Sequence, residues 1–344
     1  MQDNHEKFIT MKNIVVSILL ILTVICLSIT SCERKSVSSL PGSTGSTYEL
    51  LILCSNDVWD NEIGLAVQEF FSQNDTTMFM QESLYKCFHV NKEQFNDNKL
   101  YPLTKSILHI EIEQGAEPKV EYKHNLWAQP QRYFKITASD VESFISTFDK
   151  YKQHILQNYY EGEREKLNTF YETVLNKDNV EKIGKKFGYA FNLTTGFRLA
   201  KETDDFVWLR SETDKSSTNI LIYSEDYTTE KQFDTSYIKL KRNLITKQYV
   251  PATADGSYAK ISDVFPLTSR VVDINGYYAV ETRGAWDCYN DFMGGTFLNY
   301  TIADTISNKV LTFDAFIYYP SKEKRVFMMQ LEAIAYSMKR YIAQ

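Results

Sequence analysis

The chain has 344 residues, with 44 Asp and Glu against 38 Lys and Arg and a net charge of −6. The two signs are interspersed, which excludes the clustered basic face that nucleic acid demands and leaves no pull toward anionic lipid. The length suits one large domain or, as the better expectation, two ordinary ones with proper cores.

In chain order the first element is a leader. Ile14 to Leu27 is an apolar run too short to span a hydrocarbon core of about 30 Å as a helix, and Ile29-Thr30-Ser31-Cys32 closes it with small residues before a cysteine. This pattern is expected of a bacterial lipoprotein signal over residues 1–31, with Cys32 acylated as the mature N-terminus. Met11-Lys12-Asn13 makes a better positive start than the stretch holding Asp3, Glu6 and Lys7, so Met11 is the expected start. Three acyl chains, at about 0.8 kcal/mol per buried CH₂, would make the attachment effectively permanent. Glu33 stands where, by analogy with enteric bacteria, Asp would favour inner-membrane retention. The expected address is therefore the outer membrane, on its periplasmic face, with the membrane a partner through the lipid. Residues 32–46, rich in Ser, Gly and Thr, read as a flexible tether, with order expected from near Tyr48.

An N-terminal α/β domain is expected over 47–177. Leu50-Leu51-Ile52-Leu53-Cys54 reads as a strand covered on both faces, and Ile63, Val67 and Phe70 as one face of a helix. Leu108, Ile110 and Ile112 alternate with His109, Glu111 and Glu113, as in a strand with a wet face. Ser139-Asp140 should cap a long helix running to about Gly162 and resuming through Leu167, Phe170 and Val174. The polar, patternless stretch 176–179 marks the boundary.

A C-terminal α+β domain is expected over 178–344, with strands at 206–211, 219–224, 269–274, 277–283 and 309–319. Asn275-Gly276 predicts a type I′ hairpin, and Phe327, Leu331, Ile334 and Met338 mark a terminal helix. The fold class is α+β: two mixed or antiparallel sheets with packed helices, the second half richer in antiparallel strands. Cys54, Cys87 and Cys288 remain beyond the leader, an odd number; Cys54 and Cys87 lie in neighbouring strand-like segments, with free buried thiols favoured over a bridge.

The densest group of chemistry-bearing residues runs from Glu281 to Gly295. Strand alternation puts Glu281 and Arg283 on one face, and with Trp286, Asn290 and Asp291 they form a candidate site for a protein or glycan partner, which makes a non-catalytic binding or assembly module the expected function. The bland reading is a solvated Glu/Arg pair, a core Trp286 and a turn at Gly294-Gly295. A rival reading is an envelope glycan or peptide hydrolase using Glu281 with Asp287 or Asp291, but the required separation of two such carboxylates cannot be read from spacing. His89, His109 and His124 lack ligand spacing, and zinc-protease, phosphate-loop and serine-hydrolase signatures are missing, so neither metal nor cofactor is expected and the catalytic residues stay unassigned.

The segments Trp127-Ala-Gln-Pro-Gln131, Phe206-Val-Trp-Leu-Arg210, Asn219-Ile-Leu-Ile-Tyr-Ser224, Gly256-Ser-Tyr258, Glu281-Thr-Arg-Gly284 with Trp286, Asn290-Asp-Phe-Met-Gly-Gly295 and Leu331-Glu-Ala-Ile334 carry a resemblance. The mature chain resembles a family of uncharacterised lipoproteins from Bacteroides-type bacteria, a domain of unknown function. The resemblance implies an envelope location and one fold across the chain, and supplies no catalytic residues. In the family pattern Arg242 is followed by Asp and Gly295 by Pro; here Asn243 and Thr296 stand instead, which weakens any role for an acid at 243 or a rigid turn at 296.

Overall fold

The computed structural model describes residues 40–342 apart from Phe79 and Ser321; the leader, Cys32 and the first part of the tether lie outside the described residues. The later tether is not free. Gly42 bridges to Gln129 and Thr44 to Thr104, and Lys166 Nζ donates to the Ser43 carbonyl at 2.9 Å. Order begins before Tyr48 because backbone groups of the Ser/Gly-rich stretch find strand-like partners, which composition alone does not reveal.

The first half is a five-stranded sheet in the order β2-β1-β3-β5-β4, built from β1 (Glu49–Leu53), β2 (Lys86–Val90), β3 (Ser106–Ile112), β4 (Lys119–His124) and β5 (Arg132–Ala138). The β2-β1, β1-β3 and β3-β5 pairs are parallel, and β4 runs antiparallel at the edge. Alternation along β1 sends Leu50 and Ile52 into one core and Leu51 and Leu53 into another, as two covered faces require. Helices α1 (Asn56–Trp59), α2 (Glu62–Ser72) and α3 (Lys92–Asp97) follow the strand ends, and Ile63, Val67 and Phe70 are buried as their spacing predicts.

Helix α4 (Val141–Tyr171) starts at a capping box on Asp140 and continues unbroken through Gly162. The expected interruption there is absent because this glycine serves packing: a Cβ would lie 2.9 Å from Arg132 Cγ. Asn176, read as part of a patternless linker, is the N-cap of α5 (Lys177–Phe187), its side chain accepting from Asn179 N at 3.2 Å.

The second half holds an antiparallel array ordered β10-β12-β13-β14-β9-β8-β7, with β11 also on β12. Its strands are β7 (Arg198–Glu202), β8 (Phe206–Glu212), β9 (Ser217–Asp226), β10 (Tyr258–Ile261), β11 (Thr268–Ile274), β12 (Tyr277–Tyr289), β13 (Asp291–Asp304) and β14 (Lys309–Tyr318). Asn275 (φ 54°) and Gly276 (φ 89°) make the expected hairpin turn. Gly294 and Gly295 are not a turn; they lie inside β13, where a Cβ on Gly295 would run into the Ile317 carbonyl. The reversal falls at Asn290 (φ 57°) instead. Thr296 is fully buried and paired with Ile317 in mid-strand, where proline would remove a ladder donor.

Helix α6 (Thr235–Tyr249) is fastened to this sheet by a wholly buried ion pair, Arg242 Nε to Asp314 Oδ2 at 2.8 Å, with the guanidinium 4.1 Å from the Phe297 ring centre. Beside it, Asn243 Oδ1 accepts from Ile261 N at 2.8 Å, an acceptor role that an acid would fill equally well. Helix α7 (Arg325–Tyr336) and the short pair β6 (Tyr189–Ala190) with β15 (Lys339–Arg340) complete the chain. Met329 of α7 sits in the core of the first half while Met328 and Leu331 sit in that of the second, and Leu167 of α4 packs on both. These two helices stitch the two halves, from Pro41 onward among the described residues, into one unit.

Cys54, Cys87 and Cys288 are free thiols. In the β1-β2 register Cys87 faces Leu50, four residues from Cys54, a spacing of roughly 13 Å along a strand at about 3.3 Å per residue and far beyond disulfide reach. Among the described residues no helix is long and apolar enough to cross a membrane.

Candidate functional site

The residues singled out between 281 and 291 do not converge. Glu281 and Arg283 share one face of β12, as alternation requires. Trp286 has the opposite parity and is 2 % exposed, packed with Phe297 and Phe316 and donating Nε1–H to the Ile317 carbonyl at 3.2 Å. Asn290 is the exposed turn residue. Asp291 Oδ2 accepts from the Thr253 and Ala254 backbone N–H groups at 2.9 and 3.2 Å, pinning the 250–256 loop to the hairpin tip. Asp287 pairs with Lys260 at 3.0 Å. The carboxylates of the hydrolase reading are therefore spread over β12 and the start of β13, each engaged by a local partner.

Glu281 and Arg283 instead belong to a chain of charges, buried except at its Arg270 end. Glu281 Oε1 accepts from Arg270 Nε at 2.8 Å, and its Oε2 from Arg283 Nη2 at 2.9 Å and the Tyr300 hydroxyl at 2.8 Å. The same Arg283 nitrogen donates to Glu332 Oε2 on α7, and Glu332 Oε1 accepts from Arg164 Nη1 of α4 at 2.6 Å. Arg164 in turn stacks 4.1 Å over the Tyr336 ring. The sequence runs Arg270, Glu281, Arg283, Glu332, Arg164, alternating in sign and crossing from β11 and β12 through α7 to α4.

A second anchor lies alongside. Arg325, the first residue of α7, donates through Nε to Asp75 at 3.0 Å, through Nη1 to the Ser83 and Leu84 carbonyls and through Nη2 to the Tyr160 hydroxyl at 3.0 Å. Its guanidinium lies 3.7 Å from the Tyr48 ring centre. Glu82 accepts from the Lys324 and Arg325 backbone N–H groups at 2.7 to 2.9 Å, placing a carboxylate at the positive end of α7.

Between these groups opens a cleft of about 340 Å³, walled by the start of β11, the Glu281 face of β12, α7, the middle of α4 and the loop around Asp75. Gln153, Gln157, Thr268 and Ser269 give it neutral polar walls, and Leu84, Leu156 and Met329 an apolar one. That size falls within the range of small-ligand sites. Two of its carboxylates, Glu281 and Asp75, are held as anions. Burial would raise the Glu281 carboxyl, but Arg283 and Arg270 outweigh it and hold it down at about 2. Burial likewise opposes the charge on Arg283, and Glu281 and Glu332 push it well above the usual arginine value. Asp75 is lowered too: burial raises it, while Thr77 and Arg325 more than compensate. No carboxyl in this set with a shifted value moves toward neutrality, as general acid catalysis would need.

Sequence reasoning found two of the five links. Arg164, Arg270 and Glu332 were missed, along with Arg325. One signal was present: α7 is apolar nearly all round, yet carries Arg325 and Glu332 seven residues apart on one face, where charges need partners.

A second crevice, of about 680 Å³, lies at the carboxyl ends of β1 and β3, where the winding passes to β2 on one side of β1 and β3 on the other. Such switch points commonly receive ligands in open α/β sheets. His109 lines it, with Nδ1 at 2.7 Å from the Tyr133 hydroxyl; burial and then Lys135 bring its pKa to about 4, leaving the imidazole neutral. Asn61 and Asn91 are engaged in capping α2 and α3. Among the described residues no group of three or more His, Cys, Asp or Glu is placed to hold a metal ion.

Two family models match the chain, both described as domains of unknown function: DUF8532 over residues 43–172 and DUF4837 over residues 174–337. The chain is similar to these two uncharacterised families over nearly all of its described length. The matches meet just after α4, so the first carries Arg164 and the second carries Arg270, Glu281, Arg283 and Glu332. No curated protein matches the chain.

Proposed function

We propose that this protein is a non-catalytic binding module of the bacterial cell envelope, held at the periplasmic face of the outer membrane by a lipid on Cys32 and receiving a protein or glycan partner in the cleft between β11, β12, α4 and α7. The observation that carries the binding part is the charge chain: Glu281 lies between two guanidinium groups at 2.8 and 2.9 Å and is held at a pKa of about 2. A carboxylate so fixed orients and recognises, but it does not deliver protons near neutral pH. The anchor rests on the apolar run ending at Ile29-Thr30-Ser31-Cys32.

A photo-crosslinking residue placed at exposed Thr268, on the cleft wall, should give a discrete adduct in native cells, and the same residue at exposed Ser307 should not. Absence of any adduct from 268 overturns the binding reading. Mass spectrometry of the mature N-terminal peptide tests the anchor separately: a triply acylated Cys32 is expected, and an unmodified thiol there contradicts it.

A further inference from the structure

The alternating chain ends in arginine on both sides. Three guanidinium groups, Arg270, Arg283 and Arg164, face two carboxylates, Glu281 and Glu332, leaving one positive charge over. The neighbouring pairs do not absorb it. Arg325 is matched by Asp75, and Glu82 lies against the backbone N–H groups that open α7, beside the Lys324 ammonium. A surplus charge in a part-desolvated cleft is costly unless an anion or water completes it.

The surplus has an open end. Arg270 spends only its Nε on protein; among the described residues both of its Nη groups lack a partner, and its side chain is 51 % exposed at the cleft wall. Arg283 Nε is buried with no hydrogen-bond partner. Two adjacent Nη groups of one guanidinium form the fork that matches a carboxylate in bidentate fashion.

The remaining wall indicates what the carboxylate belongs to. A glycan acid would be expected to stack on an open aromatic face, but the Tyr48 ring is covered by Arg325, the Tyr160 ring is stacked on Tyr85 at 5.9 Å, and none of the four tryptophans lines the cleft. The amides of Gln153 and Gln157 match a peptide backbone, and Leu84, Leu156 and Met329 match an apolar side chain. Resting on the binding reading above, we propose that the cleft captures the free C-terminus of a peptide or protein ending in an apolar residue, its α-carboxylate held by Arg270. Capture of a terminal carboxylate combined with a side-chain pocket is an established route to peptide recognition.

The test uses the full mature chain in detergent and three probes: the tripeptide Gly-Ala-Leu, its C-terminal amide, and glucuronate, each titrated by calorimetry and by NMR of labelled protein. The free acid should bind and perturb cleft resonances, and the amide should bind roughly ten- to hundredfold more weakly, the worth of a charge-assisted bidentate contact. Arg270→Gln should lose the same factor for the acid and nothing for the amide, while Arg270→Lys, which keeps the charge without the fork, should fall between; a cooperative melt and an NMR fingerprint unchanged outside the cleft show that both variants, though lowered in stability by the loss of a Glu281 partner, keep the fold. Equal binding of acid and amide overturns the carboxylate assignment while leaving the cleft a binding site. Tight glucuronate binding with weak peptide binding overturns the peptide assignment. No peptide binding at all overturns the proposal, and crosslinking from position 268 then decides independently whether the cleft binds anything.

Discussion

Replacing Arg283 by Met tests the charge chain as a structural element. The side chain bridges Glu281 and Glu332, whose side chains are 4 and 5 % exposed, so its removal leaves two buried carboxylates each short of a partner. Breaking a buried ion pair in this way costs about 3–5 kcal/mol, or roughly 5–8 °C in melting temperature for a body of about 300 residues. The loss has a pH signature. Glu281 titrates at about 2 in the folded protein against 4.5 without the fold, so the stabilisation it contributes is complete above about pH 4.5 and is lost as the pH falls toward 2. In Arg283→Met burial dominates the same carboxyl, which takes up a proton at higher pH and so relieves part of the penalty. Urea unfolding of both proteins should therefore show a gap of about 3–5 kcal/mol at pH 7 that narrows clearly at pH 3.5. A gap below about 1 kcal/mol at pH 7, or one unchanged by acid, would refute the assignment of Arg283 to the network. It also follows that Arg283→Ala with Trp286→Ala, natural substitutions if both lined an open ligand site, would lower stability rather than report on binding.

Other substitutions separate packing from function. Gly295→Ala should lower stability by about 2–4 kcal/mol, because the Cβ collides with the Ile317 carbonyl in a paired strand, while Gly42→Ala, with open space around it, should be neutral within about 0.5 kcal/mol; thermal melting checks both. Asn275→Ala should cost about 1–3 kcal/mol, since it loses a residue suited to φ 54° and the amide donors to the Tyr336 and Met338 carbonyls at 2.8 and 2.9 Å. By NMR the His109 ring should titrate near 4, and because that lies below the unfolded value its contribution to stability is present above about pH 6.5 and lost as the pH falls through 4. A midpoint above 6 would place the ring in solvent.

Much of the architecture was legible because it follows from periodicity. The two-sided β1, the α2 face and the Asn275-Gly276 hairpin obey local rules of burial and backbone sign, and each stands as expected. What escaped was decided by distant partners. Gly162, Gly294 and Gly295 read locally as breaks or turns, yet each is small because another element presses against it. The glycines of β13 disguise it as a turn, whereas the paired β12-β13 ladder places Trp286 on the other face and Asp291 on the next strand, away from Glu281. The site was half legible: alternation joined Glu281 to Arg283, but Glu332 and Arg164 come from helices 49 and 119 residues away in sequence, a closure that no local pattern encodes.

The most direct test of the account is a carbon-13 NMR titration of the Glu281 side-chain carboxyl, assigned by comparison with Glu281→Gln. A carboxylate clamped by Arg270 and Arg283 should remain ionised through the physiological range and show a midpoint near 2. A midpoint at or above 5 would mean that the charge chain is not formed as described, and would return Glu281 to consideration as a proton donor.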